Sequence, residues 1–219
     1  MPVQADPGIA QFEAEGVRGY LHTPVQSTGR GMVLTHGAGA DCNAPLLVTV
    51  ADACCAAGVA VLRCDLPFRQ VRPKGPPPST ASAADRAGLR AAVAALRDLV
   101  NGAVFLAGHS YGGRQASILA AEDPSIADRL LLLSYPLHPP KKPDQLRTKH
   151  FPDLRTSAVF VHGTADPFGS IAEMKLAISE IPASRHLLVV EGAGHDLRGR
   201  KFDAAAAVET LLSSETPRY

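Results

Sequence analysis

The sequence lacks an excess of charge of either sign. Its 22 lysines and arginines are balanced by 21 aspartates and glutamates, which gives a formal net charge of +1 at pH 7 with histidine counted as neutral. Proteins that bind nucleic acid or an anionic membrane carry a basic patch or a run of like charges, and this chain has neither. The charge pattern therefore argues against both partners and favours a small-molecule substrate, while it indicates nothing about oligomeric state.

Long apolar runs are also missing. No stretch approaches the roughly 20 residues of a membrane-spanning helix. The opening stretch MPVQADPGIAQF has no basic segment followed by an apolar one, so we expect no signal peptide. The cysteines form no CxxC pair, which argues against a disulfide framework and a zinc site; they are Cys42, Cys54, Cys55 and Cys64. We therefore expect a cytoplasmic protein with reduced and mostly buried thiols.

The common cofactor motifs are absent as well. The chain has neither the GK[ST] triplet of a P-loop nor the HExxH spacing of a zinc protease. The stretch HGAGADC supplies two glycines of a dinucleotide fingerprint, Gly37 and Gly39, but Cys42 occupies the position of the third. We expect neither a cofactor nor a metal ion.

The sequence does contain a repeated alternation of short apolar runs and helical segments. The runs do not alternate polar and apolar residues, which is typical of strands buried on both faces of a parallel sheet; they are MVLT (32–35), VAVLRC (59–64), AVFLA (103–107), LLLLSY (130–135), AVFVH (158–162) and HLLVV (186–190). The clearest helix is predicted over 82–100 with Ser82 as its N-cap, and weaker helices are predicted over 44–57, 112–122, 170–180 and 200–214. This order predicts one α/β domain over residues 1–219, with a mostly parallel twisted sheet and helices on both faces.

Three segments depart from this alternation. Residues 9–22 are predicted to form an antiparallel hairpin at the sheet edge that turns near Gly16. Residues 67–80 and 136–154 are rich in proline and basic residues, and both follow carboxyl ends of strands, where α/β sheets bind ligands. We expect the first to be a stiff, partly polyproline II loop and the second to be a short insertion near the site, with a helix around 144–151.

Ser110 lies between glycines in GHSYGG, a G-x-S-x-G pattern that is weak evidence by itself. An apolar run precedes it directly and a helical segment follows, as a nucleophile elbow requires. So tight a turn has no room for Cβ atoms at its flanking positions, which are Gly108 and Gly112. The same turn forces the serine toward positive φ. The context predicts that Ser110 is a nucleophile.

A serine nucleophile needs a base and an acid that orients the base. In this topology they follow later strands in the order serine, acid, histidine. The fifth apolar run leads to Asp166 and the sixth leads to His195, which predicts both roles. An Asp-Pro pair is also a common turn signal, so Glu191 and Asp196 are the competing acids, although Glu191 stands close to its own strand end and Asp196 adjoins the histidine.

The oxyanion hole needs two backbone N–H groups aimed at the substrate. One is expected from Tyr111, which follows the nucleophile. The other is expected from the glycine-rich loop HGAG after the first apolar run, at Ala38 with Gly37 as the alternative.

Jointly, HGAG, GHSYGG, GTADPFG and GAGH resemble the α/β-hydrolase family over nearly the whole chain. More narrowly, YPLHPP, LRTKHFPDL and GTADPFG are similar to small dienelactone-hydrolase-like proteins without a large lid. The resemblance implies the α/β-hydrolase fold and a triad of Ser110, Asp166 and His195. The chain departs from these relatives at two positions. Many of them have methionine at the position of Tyr111. Dienelactone hydrolases proper use a cysteine nucleophile where this chain has Ser110, which argues against the dienelactone substrate.

These observations predict a serine hydrolase that cleaves ester or thioester bonds of a small substrate through an acyl-enzyme intermediate. Only about 20 residues separate the fourth and fifth apolar runs, so we expect an open, shallow site without a large lid. Two alternatives stay open: a non-catalytic interaction module on a hydrolase scaffold, and an acyltransferase with the same nucleophile.

Other side chains on these loops are candidates for substrate binding; they are His36, Gly37, Phe68, Arg72, His138, Arg147 and Phe168. We expect His36 and His109 mainly to orient backbone, and His138 and His150 to be structural or solvated. The basic residues of the two irregular loops are expected at the solvated surface, or else some of them attract an anionic substrate; they are Arg69, Arg72, Lys74, Lys141, Lys142 and Arg147.

Overall fold

The computed structural model describes residues 7–197 and 202–213. Its strands are β1 (Gly8–Ala14), β2 (Val17–Thr23), β3 (Gly31–Thr35), β4 (Ala60–Cys64), β5 (Val104–His109), β6 (Arg129–Leu133), β7 (Ser157–Gly163) and β8 (Arg185–Val190). Its α-helices are α1 (Pro45–Ala56), α2 (Pro67–Val71), α3 (Ser82–Arg97), α4 (Tyr111–Glu122), α5 (Ile171–Ile178) and α6 (Ala204–Leu212). All six predicted strands and five predicted helices are present, and the ends that the structure describes shift by a few residues; residues 200, 201 and 214 of the last predicted helix lie outside the described residues.

The strands form one sheet in the spatial order β1-β2-β4-β3-β5-β6-β7-β8. The pairs from β4 to β8 are parallel, whereas β1 and β2 form the antiparallel hairpin expected at the edge. The side chains of α1 and α6 pack on one face, and those of α3, α4 and α5 pack on the other. This arrangement is the predicted α/β fold without a large lid.

The central strands are apolar throughout because both of their faces are covered. Along β3, the side chain of Val33 lies in the core under α3 and α4, while Met32 and Leu34 lie in the core under α1. All three are fully buried. These strands are hydrophobic at nearly every position because helices cover both faces of the sheet.

The predicted N-cap of α3 is wrong by one residue. Ala81 occupies the N-cap position and makes no side-chain cap, and Ser82 is the first helical residue. The hydroxyl of Ser82 instead donates to Oε1 of Gln115 on α4 at 2.8 Å. A tertiary hydrogen bond to a neighbouring helix thus takes the place of the local cap.

The two irregular segments also differ from expectation. The first begins with helix α2 rather than with extended chain, because Pro67 stands near the first helical position, where its fixed φ favours a helix. In the second, the helix expected around 144–151 is absent, and a single 3-10 turn forms at Phe151–Asp153. The hydroxyl of Tyr135 donates to the carbonyl of Arg147. In a helix over 144–151 that carbonyl would instead accept a backbone N–H four residues later.

The fold brings several loops to the carboxyl edge of the sheet. The helix after β3 lies on one face and the helix after β5 lies on the other, so the chain leaves these neighbouring strands in opposite directions. Such a switch point opens a crevice at the strand ends. No helix in the two described segments is long and apolar enough to cross a membrane.

Candidate active site

Ser110 occupies a sharp turn between a strand and a helix. It separates β5 from α4 and has φ of 51° and ψ of −114°, which is an uncommon conformation for a residue other than glycine. Its N–H donates to the carbonyl of Leu133 on β6 at 2.8 Å. The predicted strand–turn–helix context and the positive φ are both confirmed.

The flanking glycines are required by close backbone contacts. A Cβ on Gly108 would lie 2.5 Å from the carbonyl carbon of Gly112 and 2.5 Å from the nitrogen of Gly113. A Cβ on Gly112 would lie 2.5 Å from the carbonyl oxygen of His36 on the loop after β3. The glycines therefore let the elbow, its helix and the neighbouring loop approach one another.

Ser110, His195 and Asp166 form a continuous chain of hydrogen bonds. The Oγ of Ser110 lies 2.7 Å from Nε2 of His195, and Nδ1 of His195 lies 2.8 Å from Oδ2 of Asp166. Because a carboxylate only accepts hydrogen bonds, Nδ1 carries the ring proton and leaves Nε2 free to accept from the serine. Of the three acids considered, Asp166 is the one that contacts the imidazole; Glu191 instead accepts from Thr164 at 3.4 Å.

Asp166 and His195 are each held by further contacts. The other oxygen of Asp166, Oδ1, accepts the N–H of Phe168 at 2.9 Å. The ring of Phe168 lies 4.2 Å from the ring of His195, centroid to centroid. Nε2 of His109 donates to the carbonyl of His195 at 2.8 Å, and burial lowers the pKa of His109. His109 thus orients backbone, as predicted, and Phe168 lies at the site.

The loop after β3 lies directly against the nucleophile. A Cβ on Gly37 would be 3.4 Å from the Cβ of Ser110, and Ala38, the next residue, is partly exposed. Across from it, the N–H of Tyr111 is the first of α4 and has no acceptor within the helix. The two backbone segments proposed for the oxyanion hole therefore flank Ser110.

Arg69 is not the solvated surface residue expected from its loop. It is 4% exposed, and its guanidinium donates to the carbonyls of Ala38 and Ala40 at 2.8 Å each. Further bonds reach the carbonyls of Arg72 and Gly75. Arg69 therefore holds the loop after β3 in place, a role that requires contacts 29 to 31 residues away along the chain.

His36 likewise orients backbone, as predicted, and this leaves its alternative assignment as a substrate-binding residue without support. It is fully buried; its Nδ1 donates to the carbonyl of Gly37 at 2.8 Å, and its Nε2 accepts the N–H of Leu66 at 3.1 Å. Burial lowers the pKa of His36, consistent with a neutral ring. Both nitrogens are occupied, so none is left for a substrate.

Asp85 is a buried residue that the sequence did not single out. This fully buried carboxylate on α3 accepts the hydroxyl of Tyr111 at 2.7 Å and the N–H of Phe68 at 3.0 Å. The ring of Phe68 packs edge-on against Tyr111 at 5.7 Å and is 6% exposed. Phe68 therefore supports Tyr111 from behind and offers little surface to a substrate.

The remaining substrate-binding candidates make no hydrogen bond or ion pair with the triad in the described part of the chain. Arg72 is exposed at the end of α2. His138 is 6% exposed; its Nδ1 donates to the carbonyl of Pro139, and its Nε2 lies 3.6 Å from a carboxylate oxygen of Glu173. His138 thus joins the insertion to α5, which is the structural role expected for it and not a substrate contact. Nη1 of Arg147 lies 3.4 Å from the carbonyl of Pro136 within the same insertion.

The thiols provide no competing nucleophile. All four cysteines are free, and three of them are buried, as predicted. Burial raises the pKa of Cys42, Cys54 and Cys64 to about 12 and that of Cys55 to about 11, so they remain protonated at pH 7. Within residues 7–197 and 202–213, no group of three His, Cys, Asp or Glu side chains is placed to hold a metal ion.

His150 of the insertion is expected to make folding stability depend on pH. Burial, reinforced by the charges of Arg114 and Arg86, lowers the pKa of His150 to about 4. Its pKa in the unfolded chain is about 6.5, so between these values only the unfolded chain takes up this proton, and stability falls as pH falls. From pH 8 to pH 5 this histidine should remove about 2 kcal/mol of stability.

The variant His150→Gln cannot take up that proton. Urea unfolding at pH 8 and at pH 5 should therefore show a loss of stability that is about 2 kcal/mol smaller in the variant than in the wild type. His186→Gln is a suitable control, because it removes a histidine whose pKa burial and Arg129 also lower but which lies on β8, outside the insertion. Identical losses in wild type and His150→Gln would contradict the prediction.

Comparison with known proteins agrees with this architecture. A family model described as an α/β hydrolase domain matches residues 28–215. Among solved structures, the chain is similar to dienelactone hydrolase from Anabaena variabilis, with 22% identity over 94% of each chain and a TM-score of 0.72. It is also similar to a serine hydrolase without a lid from Xanthomonas campestris, with 15% identity over 95% of each chain and a TM-score of 0.73. Est1E from Butyrivibrio proteoclasticus, solved with ferulic acid bound, shares 18% identity over 85% of this chain and 91% of its own, with a TM-score of 0.69.

Proposed function

The chain belongs to the α/β hydrolase domain family, and from this premise we propose that it is a serine hydrolase that cleaves ester or thioester bonds of small substrates. The observation that supports this most is the hydrogen-bonded series from Ser110 Oγ through His195 to Asp166, with bonds of 2.7 and 2.8 Å. A serine, a base and an orienting acid at these distances are what acyl transfer requires.

In the first step, His195 accepts the hydroxyl proton of Ser110 as its Oγ attacks the carbonyl carbon of the substrate. A bond forms between Oγ and that carbon, and the carbonyl electron pair moves to the oxygen. Asp166 stabilises the imidazolium that forms. His195 then gives the proton to the departing alcohol or thiol, and the acyl group remains on the serine.

The oxyanion formed in this step is stabilised by the N–H groups of Tyr111 and Ala38. The amino end of α4 adds to this effect, because its unpaired N–H groups and the helix dipole favour negative charge. The bonds from Arg69 to the carbonyls of Ala38 and Ala40 keep the loop rigid, so its N–H groups need little reorganisation during the reaction. In the second step water, activated by His195, releases the acid.

Partial exposure of the triad favours a catalytic protein over a silent scaffold. Ser110 is 9% exposed, and the side chain of His195 is 22% exposed. A neighbouring cavity of about 290 Å³ is lined by His109, the residue before Ser110, and by Leu197, but neither Ser110 nor His195 lines it.

An activity-based label tests the proposal. We expect a fluorophosphonate probe to label the wild-type protein and to leave Ser110→Ala unlabelled, because only the hydroxyl of Ser110 is adjacent to the base. A panel of 4-nitrophenyl esters of graded acyl length, with Ser110→Ala as the blank, then defines the preferred acyl group. Ser134→Ala is the matched control, since Ser134 is also a buried serine with positive φ at a strand end. Labelling that persists in Ser110→Ala would refute the proposal.

We further propose that residues 1–219 act as one domain in the cytoplasm. Both core clusters are built on the same sheet, which supports a single folding unit. The four free thiols suit a reducing compartment. Cell fractionation with an antibody to the native protein would check the location.

A further inference from the structure

Asp85 is bonded to two separate elements of the site. It lies in the first turn of α3, and its side chain is fully buried. Its Oδ2 accepts the hydroxyl of Tyr111 on α4 at 2.7 Å, and its Oδ1 accepts the N–H of Phe68 on α2 at 3.0 Å. Each carboxylate oxygen therefore bonds a different helix, so that Asp85 fixes α2 and α4 relative to α3.

The contact between α3 and α2 is close as well as polar. A Cβ on Gly88, which also lies on α3, would be 2.5 Å from Cγ of Pro67, the first residue of α2. The N–H of Phe68 belongs to the first turn of α2, where a helix has no acceptor of its own to offer. Asp85 supplies that acceptor, and α2 is thus held by packing and by a hydrogen bond to a carboxylate.

Helix α2 in turn reaches the loop after β3. Arg69, the residue after Phe68, is buried and donates to the carbonyls of Ala38 and Ala40 at 2.8 Å each. These carbonyls belong to the loop whose N–H at Ala38 is the second proposed donor of the oxyanion hole. The series of contacts that begins at Asp85 and passes through α2 therefore ends on this loop.

The ring of Phe68 lies against both backbone segments proposed for the oxyanion hole. It packs edge-on against the ring of Tyr111, with centroids 5.7 Å apart, and its centroid is 5.6 Å from that of His36 on the loop after β3. The residue is only 6% exposed, so its neighbours leave it little room to move. A shift of α2 would therefore displace both segments.

The two hydrogen bonds of Asp85 also offset the cost of its burial. A buried carboxylate is unfavourable unless its oxygens are hydrogen-bonded, and no lysine, arginine or histidine of the described segments forms an ion pair with Asp85. Hydrogen bonds to a charged acceptor are shorter and stronger than those between neutral groups. They therefore hold the N–H of Phe68 and the hydroxyl of Tyr111 in defined positions.

We propose that Asp85 is a positioning residue that sets the separation of the two oxyanion donors, the N–H groups of Tyr111 and Ala38. Its Oδ2 holds the first donor through the side chain of Tyr111, and its Oδ1 holds the second through α2 and Arg69. This role rests on the proposed hydrolase function, because the separation matters only if an oxyanion forms between the donors. Preorganised donors stabilise the transition state more than the bound substrate, so Asp85 acts on kcat and not on KM.

Two nearly isosteric changes test the link to the first donor. Asp85→Asn keeps an acceptor for the N–H of Phe68 but turns its NH2 group toward the hydroxyl of Tyr111, whose proton then loses its acceptor. Tyr111→Phe removes that hydroxyl and keeps the ring and the backbone N–H. We expect each change to lower kcat about 10-fold with KM within about twofold of wild type, which is less than the roughly 100- to 1,000-fold cost of losing an oxyanion donor outright.

The double variant Asp85→Asn/Tyr111→Phe distinguishes one shared bond from two separate effects. Both single changes remove the same hydrogen bond, so the double variant should lose about as much kcat as either single one. A loss equal to the product of the two single losses would mean that the side chains act independently and would overturn the proposal. A rise of kcat in Asp85→Asn would overturn it too, because the buried charge would then oppose the oxyanion instead of positioning its donors.

Leu96→Ala is the matched control for general destabilisation of α3. Leu96 is fully buried on the same helix, roughly 16 Å along the helix axis from Asp85. Truncation should lower the melting temperature but leave kcat within about twofold of wild type, with kcat expressed per site labelled by the fluorophosphonate so that unfolded protein is not counted. A loss in Leu96→Ala as large as that in Asp85→Asn would refute the positioning role.

Removing both acceptors tests the link to the second donor. Asp85→Ala also leaves the N–H of Phe68 unpaired, so α2 is no longer held and kcat should fall about 10-fold further than in Asp85→Asn. The N–H of Ala40 donates to the carbonyl of Gly37 at 3.2 Å, and its hydrogen exchange reports how firmly the loop is held. We expect this exchange to be at least about fivefold faster in Asp85→Ala than in Leu96→Ala, and unchanged in Asp85→Asn. Asp85→Leu takes the place of Asp85→Ala if a melting curve shows the alanine variant to be unfolded.

Hydrogen exchange needs no turnover, so it separates this proposal from the proposed function. If the wild type hydrolyses no ester but exchange at Ala40 is faster in Asp85→Ala alone, the link from Asp85 to the loop stands and the hydrolase proposal fails. If exchange at Ala40 is equal in Asp85→Ala and Leu96→Ala, or if kcat stays within about twofold of wild type in Asp85→Asn and Tyr111→Phe, the positioning role is refuted.

Discussion

Replacing Asp166 by asparagine is expected to lower kcat by about 10,000-fold, the size of the effect when this change is made in a Ser-His-Asp triad. The reason lies in the N–H of Phe168, which donates to Oδ1 of Asp166 at 2.9 Å. In the variant the amide oxygen keeps that bond, so the NH2 group faces Nδ1 of His195. Nδ1 must then accept, the ring proton moves to Nε2, and Nε2 no longer accepts the proton of Ser110. Steady-state kinetics on the best ester of the panel measures the loss.

Glu191→Gln is the matched control for this prediction. Glu191 is an exposed carboxylate after β8 and was, with Asp196, a competing candidate for the orienting acid, but it contacts Thr164 instead. The same carboxylate-to-amide change there should leave kcat within about twofold. A kcat for Asp166→Asn within tenfold of wild type, or a large loss in Glu191→Gln, would show that Asp166 is not the orienting acid.

The three triad candidates could be predicted from the sequence because each of them lies in a recognisable local pattern. Ser110 stands between an apolar run and a helical one, and Asp166 and His195 each follow an apolar run. Parallel strands place all such ends at one edge of the sheet, so the order along the chain was enough to bring the three side chains together. No knowledge of side-chain contacts was needed.

The supporting residues could not be predicted in this way. Arg69 reaches carbonyls 29 and 31 residues before it, and Asp85 reaches Tyr111 across 26 residues. Nothing in a local pattern distinguishes an arginine that bonds buried carbonyls from one that is solvated. For His36 the local pattern left two roles open, because its position next to the glycine loop also suggested a substrate contact; both of its nitrogens bond backbone, which is the role expected first.

The basic residues of the irregular loops show how the structure sharpens a general charge argument. From the sequence, six basic residues of these loops were candidates for attracting an anion. The fold buries Arg69 among carbonyls and leaves Arg72 exposed. Exposed loop charge is expected to contribute little to substrate selectivity because it is screened by solvent and salt.

Replacing Gly108 by alanine should disrupt the turn between β5 and α4 that carries Ser110. The added Cβ would lie 2.5 Å from the carbonyl carbon of Gly112 and 2.5 Å from the nitrogen of Gly113, far inside contact distance. Both neighbours are backbone, so no side chain can rotate away, and α4 must move off β5. We expect the free energy of unfolding to fall by about 3 kcal/mol or more, measured by urea denaturation, and esterase activity to fall with it because the displaced helix carries Tyr111.

Gly39→Ala is the control that separates steric conflict from the general effect of removing a glycine. A Cβ at Gly39 meets no atom within 4 Å, and its φ is not positive. The free energy of unfolding should therefore stay within about 0.5 kcal/mol of wild type, or rise slightly because the unfolded chain loses conformational freedom. Equal stability of Gly108→Ala and Gly39→Ala would mean that the contact of β5 with α4 is looser than 2.5 Å implies. Only a large difference between the two is consistent with an elbow held by backbone packing.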